Sequence, residues 1–279
     1  AYEIRNCDWS SDVCSSDLNK DGSIIRTFTN DVGKKEISVN ENPVLSNTND
    51  IDYALSSANI KSIAPKSGGN RLIWDMRYPG FVSFDGMVFY SSPNTGPKVT
   101  PGKYNIRLTY NNEEHSQEFE IVKDPRVSNS DEDYKKQLDF LLKVRDEVSR
   151  ANKVIIDIRK IKSDLDFLME KVSDKVQIVD LIKKYKSDLD IIENNIHMTK
   201  NQSRQDPLNY GIRINNRIAF LLADSQRGDY PPTEQAQEFF ESIKGELNEE
   251  ISKFNRVLNT YTMQLNNMIQ DNDIKFISY

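Results

Sequence analysis

His115 and His197 are the two imidazoles in the 279 residues, so a general base or metal site that needs one must use them. A nucleophilic triad sets histidine between a nucleophile and an acid. No G-x-S-x-G accompanies His115, which opens a strand-like run. His197 closes a helical stripe, where a cation would complement the helix dipole. Neither has a second ligand at metal-binding spacing. Carboxylates are plentiful, but sugar hydrolysis needs two held several ångströms apart across one bond. Asp164 and Asp166 stand two apart on a helical pattern and face different ways, and Glu113-Glu114 fall at a hairpin tip. We therefore expect no catalytic residue, no metal and no cofactor.

Two groups keep the chemistry of binding. In the first, a sugar would stack on Trp74 or Tyr78, with Asp75 and Arg77 gripping its hydroxyls. The structural reading of the same residues packs Trp74 into a core, in phase with Leu72 on one strand face, and pairs Asp75 with Arg77 or a loop backbone. The patch would then serve docking. The second group is Asn201, Gln202, Gln205 and Asp206, in an amide-rich stretch that ends at a helix start. Such amides either read a ligand or satisfy loop backbone groups. The structural reading is favoured for both.

The thiols raise a separate question. Cys7 and Cys14 both lie in the opening AYEIRNCDWSSDVCSSDL. That stretch has no basic start followed by an apolar run, as a signal peptide would, and too few ligands for zinc. A small disulfide loop is one reading. Reverse translation supplies another: in one frame, sixteen of these residues match a short-read sequencing adapter read through an index. We read residues 1–18 as an adapter-derived artefact and set them aside. Asn19-Lys20-Asp21-Gly22 is a hairpin turn signal that calls for a strand before it. The expectation is that the natural chain continued upstream and that a strand has been lost.

Without residues 1–18, 36 basic and 39 acidic side chains remain, a net charge of −3 with no cysteine. Near-neutral charge gives no electrostatic reason for nucleic-acid binding. The basic residues of the first helical stripe alternate with acids, as on a solvated face. No apolar run approaches the roughly 18 residues of a membrane span.

Two periodicities divide the rest. Residues 19–123 read as β structure, with runs at 23–29, 71–76, 86–90, 103–110 and 115–122 separated by Gly, Pro and Asn turns. KYNIRLTY alternates, with Tyr104, Ile106 and Leu108 on one face. Residues 31–67 have neither period and read as a polar insertion. After a linker at 124–130 the period becomes helical over 131–270, leaving a tail at 271–279. The first stripe runs from Tyr134 to Val172 over a helix of roughly 60 Å. Ser173-Asp174 breaks it, and Ile178, Ile182, Tyr185, Leu189, Ile192 and Ile196 follow. Asp206-Pro207 starts a third helix that carries Ile214, Ile218, Leu221 and Leu222, and a fourth runs from Phe240 to Met268. These patterns predict an incomplete Ig-like antiparallel β-sandwich followed by an antiparallel four-helix bundle.

NRLIWDMRYPG (70–80), GPKVTPGKYNIRLTY (96–110), KDPR (123–126) and TKNQSRQDPLNYGIRINNRIAFL (199–221) resemble the C-terminal region of bacterial sortilin-like proteins with BNR (Asp-box) repeats, often labelled glycosyl hydrolases. The pattern DGSIIRTF, GGNRLIWDMR, PGKY is also similar to the Ig-like module of flagellar hook-capping proteins. The resemblance spans essentially all of 19–279 and departs at Gly211, where the family pattern has proline. It implies a missing N-terminal β-propeller as partner and a periplasmic, cell-surface or secreted location. The expected function is a non-catalytic structural and docking region. One alternative is an accessory part of a glycoside hydrolase that helps line its glycan cleft; a weaker one is a cell-surface adhesion module with a glycan or protein partner.

Overall fold

A computed structural model describes residues 2–4, 13–18, 23–29, 68, 70–110 and 113–272. The insertion at 31–67, the turn at 19–22 and most of the tail at 271–279 lie outside them. The chain is mixed β and α, and its described residues divide into two compact units. One unit draws on residues up to Phe81, on 93–145 and on 222–233; the other draws on 82–92, on 146–221 and on those from Glu234 onward.

The first unit holds two antiparallel sheets. β1 (Tyr2–Ile4) pairs with β4 (Asn70–Leu72). β2 (Val13–Leu18), β3 (Ile24–Thr29), β5 (Gly102–Tyr110) and β6 (Glu113–Ile121) form the larger sheet in the order β3-β2-β5-β6. The place expected for a strand before the Asn19–Gly22 turn is taken by Val13–Leu18, from the stretch read as foreign. Position 15 sits opposite both Phe28 and Leu108 in register, and those two side chains are buried. On β5 the alternation holds in part: Tyr104 and Leu108 are buried, while Ile106 between them is half-buried like its neighbours Asn105 and Arg107. Tyr104, Ile25 and Val99 form a core cluster against which Trp74, Tyr78, Phe119 and Ile121 pack. β6 is an edge strand whose residues Glu113 to Glu118 are all exposed, and charge along an edge discourages pairing with another chain.

The sequence runs at 71–76 and 86–90 do not form the strands expected of them. β4 ends at Leu72, and Met76 adopts a left-handed φ of 57° that turns the chain. Beyond that turn the backbone closes onto 97–99, with Tyr78 N–H donating to Pro97 O and Val99 N–H to Met76 O. Gly96 permits the approach, since a Cβ there would sit 1.7 Å from the carbonyl oxygen of Tyr78. Residues 86–90 carry no strand. Their backbone is gripped instead by asparagine side chains, one from a loop and one from a helix, as described below.

Five helices follow among the described residues. α1 (Asp131–Lys171) opens on a reciprocal cap. Ser130 Oγ accepts from Asp133 N–H at 3.2 Å while the Asp133 carboxylate accepts from Ser130 N–H at 3.0 Å, which satisfies two donors that a helix start leaves free. α2 (Val176–Ile196) buries all six residues of its predicted stripe. The third predicted helix splits. α3 (Asp206–Tyr210) stops at Gly211, whose φ of 84° ends it, and α4 (Ile214–Ser225) begins afresh. Proline, locked near −65°, cannot take that φ. α5 (Glu234–Asp271) buries Phe240, Ile243, Leu247, Phe254, Tyr261 and Leu265.

In the second unit, side chains tie these helices together. The Tyr185 and Tyr261 rings stack at 5.0 Å, and Tyr261 Oη donates to Asp188 at 2.6 Å, joining α2 to α5. Arg159 and Lys162 of α1 both hold Glu193 of α2, at 2.8 and 3.1 Å. Lys186 of α2 pairs with Asp166 of α1.

Candidate functional site

The Trp74–Tyr78 group lies in the first unit as a tight turn whose polar atoms are used internally. The Trp74 ring meets Tyr104 and Phe119 edge-on, at 6.5 and 6.3 Å between centroids. Its indole N–H donates to Arg77 O at 3.1 Å. Asp75 accepts from the Arg26 guanidinium and from Arg77 N–H, both at 3.2 Å. It thus pairs with the Arg77 backbone, while its side-chain partner is an arginine on β3. The Arg77 guanidinium donates to Gly96 O and to Gln226 Oε1, both at 2.9 Å. Trp74 packs on the core as the structural reading held. It does so from a turn rather than from a strand face shared with Leu72. Ile73 and Met76, 53 % and 50 % exposed, flank it.

The amide-rich stretch belongs to the second unit, and its four candidates do different things. Asn201 is buried and its Nδ2 donates to Val88 O at 3.4 Å. Asp206 accepts from the N–H groups of Gln202 and Ser203 at 2.7 and 2.8 Å, and these backbone hydrogen bonds hold its carboxyl below the usual carboxylate range. The Gln202 and Gln205 side chains are exposed, and Gln205 precedes α3 without capping it.

Asn201 is one of three asparagines that fasten the 82–92 segment. Asn152 Nδ2 donates to Val82 O at 2.6 Å, and Ser149 Oγ accepts from Val82 N–H at 3.1 Å. Asn216 grips both backbone groups of Tyr90, accepting from its N–H at 2.8 Å and donating to its carbonyl at 3.2 Å. It also donates to Ser92 Oγ at 3.1 Å. Arg159 adds a bond to Asp85 O at 2.7 Å. Amides here do what a neighbouring strand would do. A buried backbone group otherwise left unpaired is costly, so these side chains are what let an aromatic, strand-like run settle against helices.

The same region encloses His197. It is 2 % exposed, 4.9 Å from the Phe84 ring centroid, and its Nδ1 lies 3.3 Å from Asn215 Nδ2. Asn215 in turn donates to Asn152 Oδ1 at 3.0 Å. Burial pushes the imidazole pKa down to about 4, and the positive charge of Arg159 acts in the same direction. His197 is therefore neutral at pH 7, not the helix-end cation its position suggested. Desolvation outweighs the dipole because the ring points into the core rather than toward water.

Sequence reasoning missed one further feature, a cleft of about 330 Å³ in the second unit. Asn195 of α2, Ile212 to Ile214 and Arg217 around the start of α4, and Glu246, Glu249 and Glu250 of α5 line it. Arg213 and Arg217 are four apart, as are Glu246 and Glu250. That spacing marks one helix face, but nothing in it says that the two faces meet.

Among the described residues no three His, Cys, Asp or Glu side chains converge as a metal site requires. No helix among them is long and apolar enough to cross a membrane. No protein-family model, curated protein or solved structure matches the chain.

Proposed function

We propose that this chain is a non-catalytic C-terminal structural and docking region of an exported sortilin-like BNR-repeat protein. Its first 18 residues are an adapter translation. Its finer architecture is an incomplete Ig-like sandwich followed by a four-helix bundle of α1, α2, α4 and α5, and its partner is an upstream β-propeller. The location, the propeller and the family rest on the resemblance carried by 70–80, 96–110 and 199–221.

One observation carries the structural role. Trp74, Asp75 and Arg77, the residues best suited to grip a sugar, spend their polar atoms within their own unit. A sugar-binding tryptophan offers a free face and leaves its polar neighbours available; here the ring is packed edge-on against Tyr104 and Phe119. The half-exposed Ile73 and Met76 beside it supply the apolar contact that docking needs.

The test is Trp74→Ala in the full-length protein, read by thermal unfolding and by binding to a glycan array. The structural role predicts a loss of about 2 kcal/mol or more, since a partly buried tryptophan leaves a cavity, with glycan retention unchanged. Lost glycan retention at an unchanged Tm would overturn this function in favour of a glycan cleft.

A further inference from the structure

Four groups in the second unit form a line of hydrogen bonds that has one workable polarity. It starts at the Val82 carbonyl, which can only accept, so Asn152 meets it with Nδ2 at 2.6 Å. Asn152 Oδ1 is thereby left to accept, and Asn215 Nδ2 donates to it at 3.0 Å. The same Nδ2 lies 3.3 Å from His197 Nδ1, so that ring nitrogen must accept as well. A neutral imidazole accepts on one nitrogen and donates from the other, whereas a protonated one donates from both. The line therefore closes only when His197 carries a single proton, on Nε2. Asn152, Asn215 and His197 are all buried, so water does not stand in for a mismatched partner.

We propose that this line is an acid-sensitive latch, coupling the protonation of His197 to release of the 82–92 segment. A proton on Nδ1 points at the Asn215 amino group, donor against donor. Asn215 can answer by turning its Oδ1, buried without a partner among the described residues, toward the ring. That turn sets the same oxygen against Asn152 Oδ1. Asn152 must then turn too, and its oxygen meets the Val82 carbonyl. The mismatch is passed along the line but not removed within it. An unmatched buried polar group is costly, and parting the segment from the helices relieves it by letting water reach the imidazole. The surrounding charges favour the same outcome. The Arg159 guanidinium of α1 lies over the Phe84 ring, 4.6 Å from its centroid, and His197 meets that ring at 4.9 Å, so protonation brings a second cation to one aromatic side chain. Glu193 of α2 opposes that charge, but Arg159 and Lys162 already hold it. Asn215 on α4 and Phe84 and Phe89 in the segment are uncharged, and Asp85 is exposed. Burial, with Arg159 acting in the same direction, holds the closed imidazole's pKa at about 4. Once opened, the ring titrates near its ordinary value of about 6.5. The open state thus binds the proton first, and opening rises as pH falls between those two values. The latch goes beyond the docking role proposed above and does not depend on it.

The test uses the whole chain, isotopically labelled and followed by NMR. At pH 7 the ring nitrogens of His197 should show the proton on Nε2. Amide exchange at Val82 and Tyr90 is then measured between about pH 6 and 4.5 and corrected for the intrinsic pH dependence of exchange. Opening should rise by about tenfold per pH unit, with the Tyr185 and Tyr261 amides better protected at every pH. His197→Gln should abolish the rise. Asn215→Asp offers oxygen to both His197 and Asn152, so it should open the segment at pH 7 about as often as acid opens the native one. Should either variant fail to fold, the ring tautomer and the native exchange still decide. A proton on Nδ1 would overturn the latch. So would protection equal across the unit, which would mean that acid merely unfolds the whole of it, or a rise that survives His197→Gln. A segment that stays closed at pH 7 in Asn215→Asp would overturn the relay through the two asparagines.

Discussion

Acidification should destabilise the second unit through His197. The imidazole titrates near 6.5 in an unfolded chain and at about 4 when buried among Phe84, Asn215 and Arg159. The folded pKa is the lower one, so between these values the unfolded state binds more protons, and stability falls as pH falls. The contribution is fully present above about 6.5 and is lost progressively down to about 4. The whole shift corresponds to roughly 3 kcal/mol, and the part lost between pH 7 and pH 5 to about 2 kcal/mol. Urea unfolding at pH 7, 6 and 5, followed by far-UV circular dichroism, measures the loss. His197→Gln keeps a polar side chain beside Asn215 but cannot titrate, so it serves as the reference. Its own destabilisation does not matter, because the readout is the difference in slope against pH. Carboxylate titration is common to both proteins and cancels. Parallel curves for the two proteins would refute the reasoning, since the imidazole would then charge in place without cost. An NMR titration of the His197 ring gives a direct check and should show a midpoint near 4.

Three further outcomes follow from the geometry. Asn216→Ala removes three hydrogen bonds that hold Tyr90 and Ser92. It should cost about 2 to 3 kcal/mol in urea unfolding and speed amide exchange at Tyr90. Gly96→Ala places a methyl 1.7 Å from the Tyr78 carbonyl oxygen; because that oxygen is backbone, the expected loss is about 3 kcal/mol or more, visible as a low Tm or poor soluble yield. Long-read sequencing across the codons for residues 1–18 should replace them with others; finding them intact in source DNA would remove the adapter reading and restore Cys7 and Cys14 as a disulfide candidate.

The long helices were legible because each buries one face by its own local periodicity. Ile178 to Ile196 on α2 needed only a three- and four-residue rhythm to be found, and all six residues of that stripe are buried. β5 was legible in part for the equivalent reason at period two, through Tyr104 and Leu108. What failed were inferences that depended on distant partners. The GMVFY run has strand composition, yet Val88 and Tyr90 pair their backbone with Asn201 and Asn216, more than a hundred residues away, and no local pattern announces such pairing. Trp74 looked like a strand residue because the left-handed turn at Met76 has no glycine to signal it. The split of the third helix, by contrast, was written at Gly211 and was read there only as a departure from a family pattern. His197 was assigned a charge from its place on a helix, while its state is set by what surrounds it. The cleft combined both problems: the four-residue spacings were visible, but their meeting across α4 and α5 was not.

The asparagines that clasp backbone carry a consequence for how the protein ages. Asn94 spans Phe81 as Asn216 spans Tyr90, accepting from its N–H at 2.8 Å and donating to its carbonyl at 2.9 Å. Asparagine is among the thermally labile residues. Its hydrolysis to aspartate turns the donating nitrogen into an oxygen that can only accept. At either clasp that exchange would set an anionic oxygen against a carbonyl oxygen and open one of the two bonds from within. The shelf life of this fold is therefore tied to the covalent chemistry of a few side-chain amides, at positions where a change too small to alter the chain's shape would still release the segment it fastens.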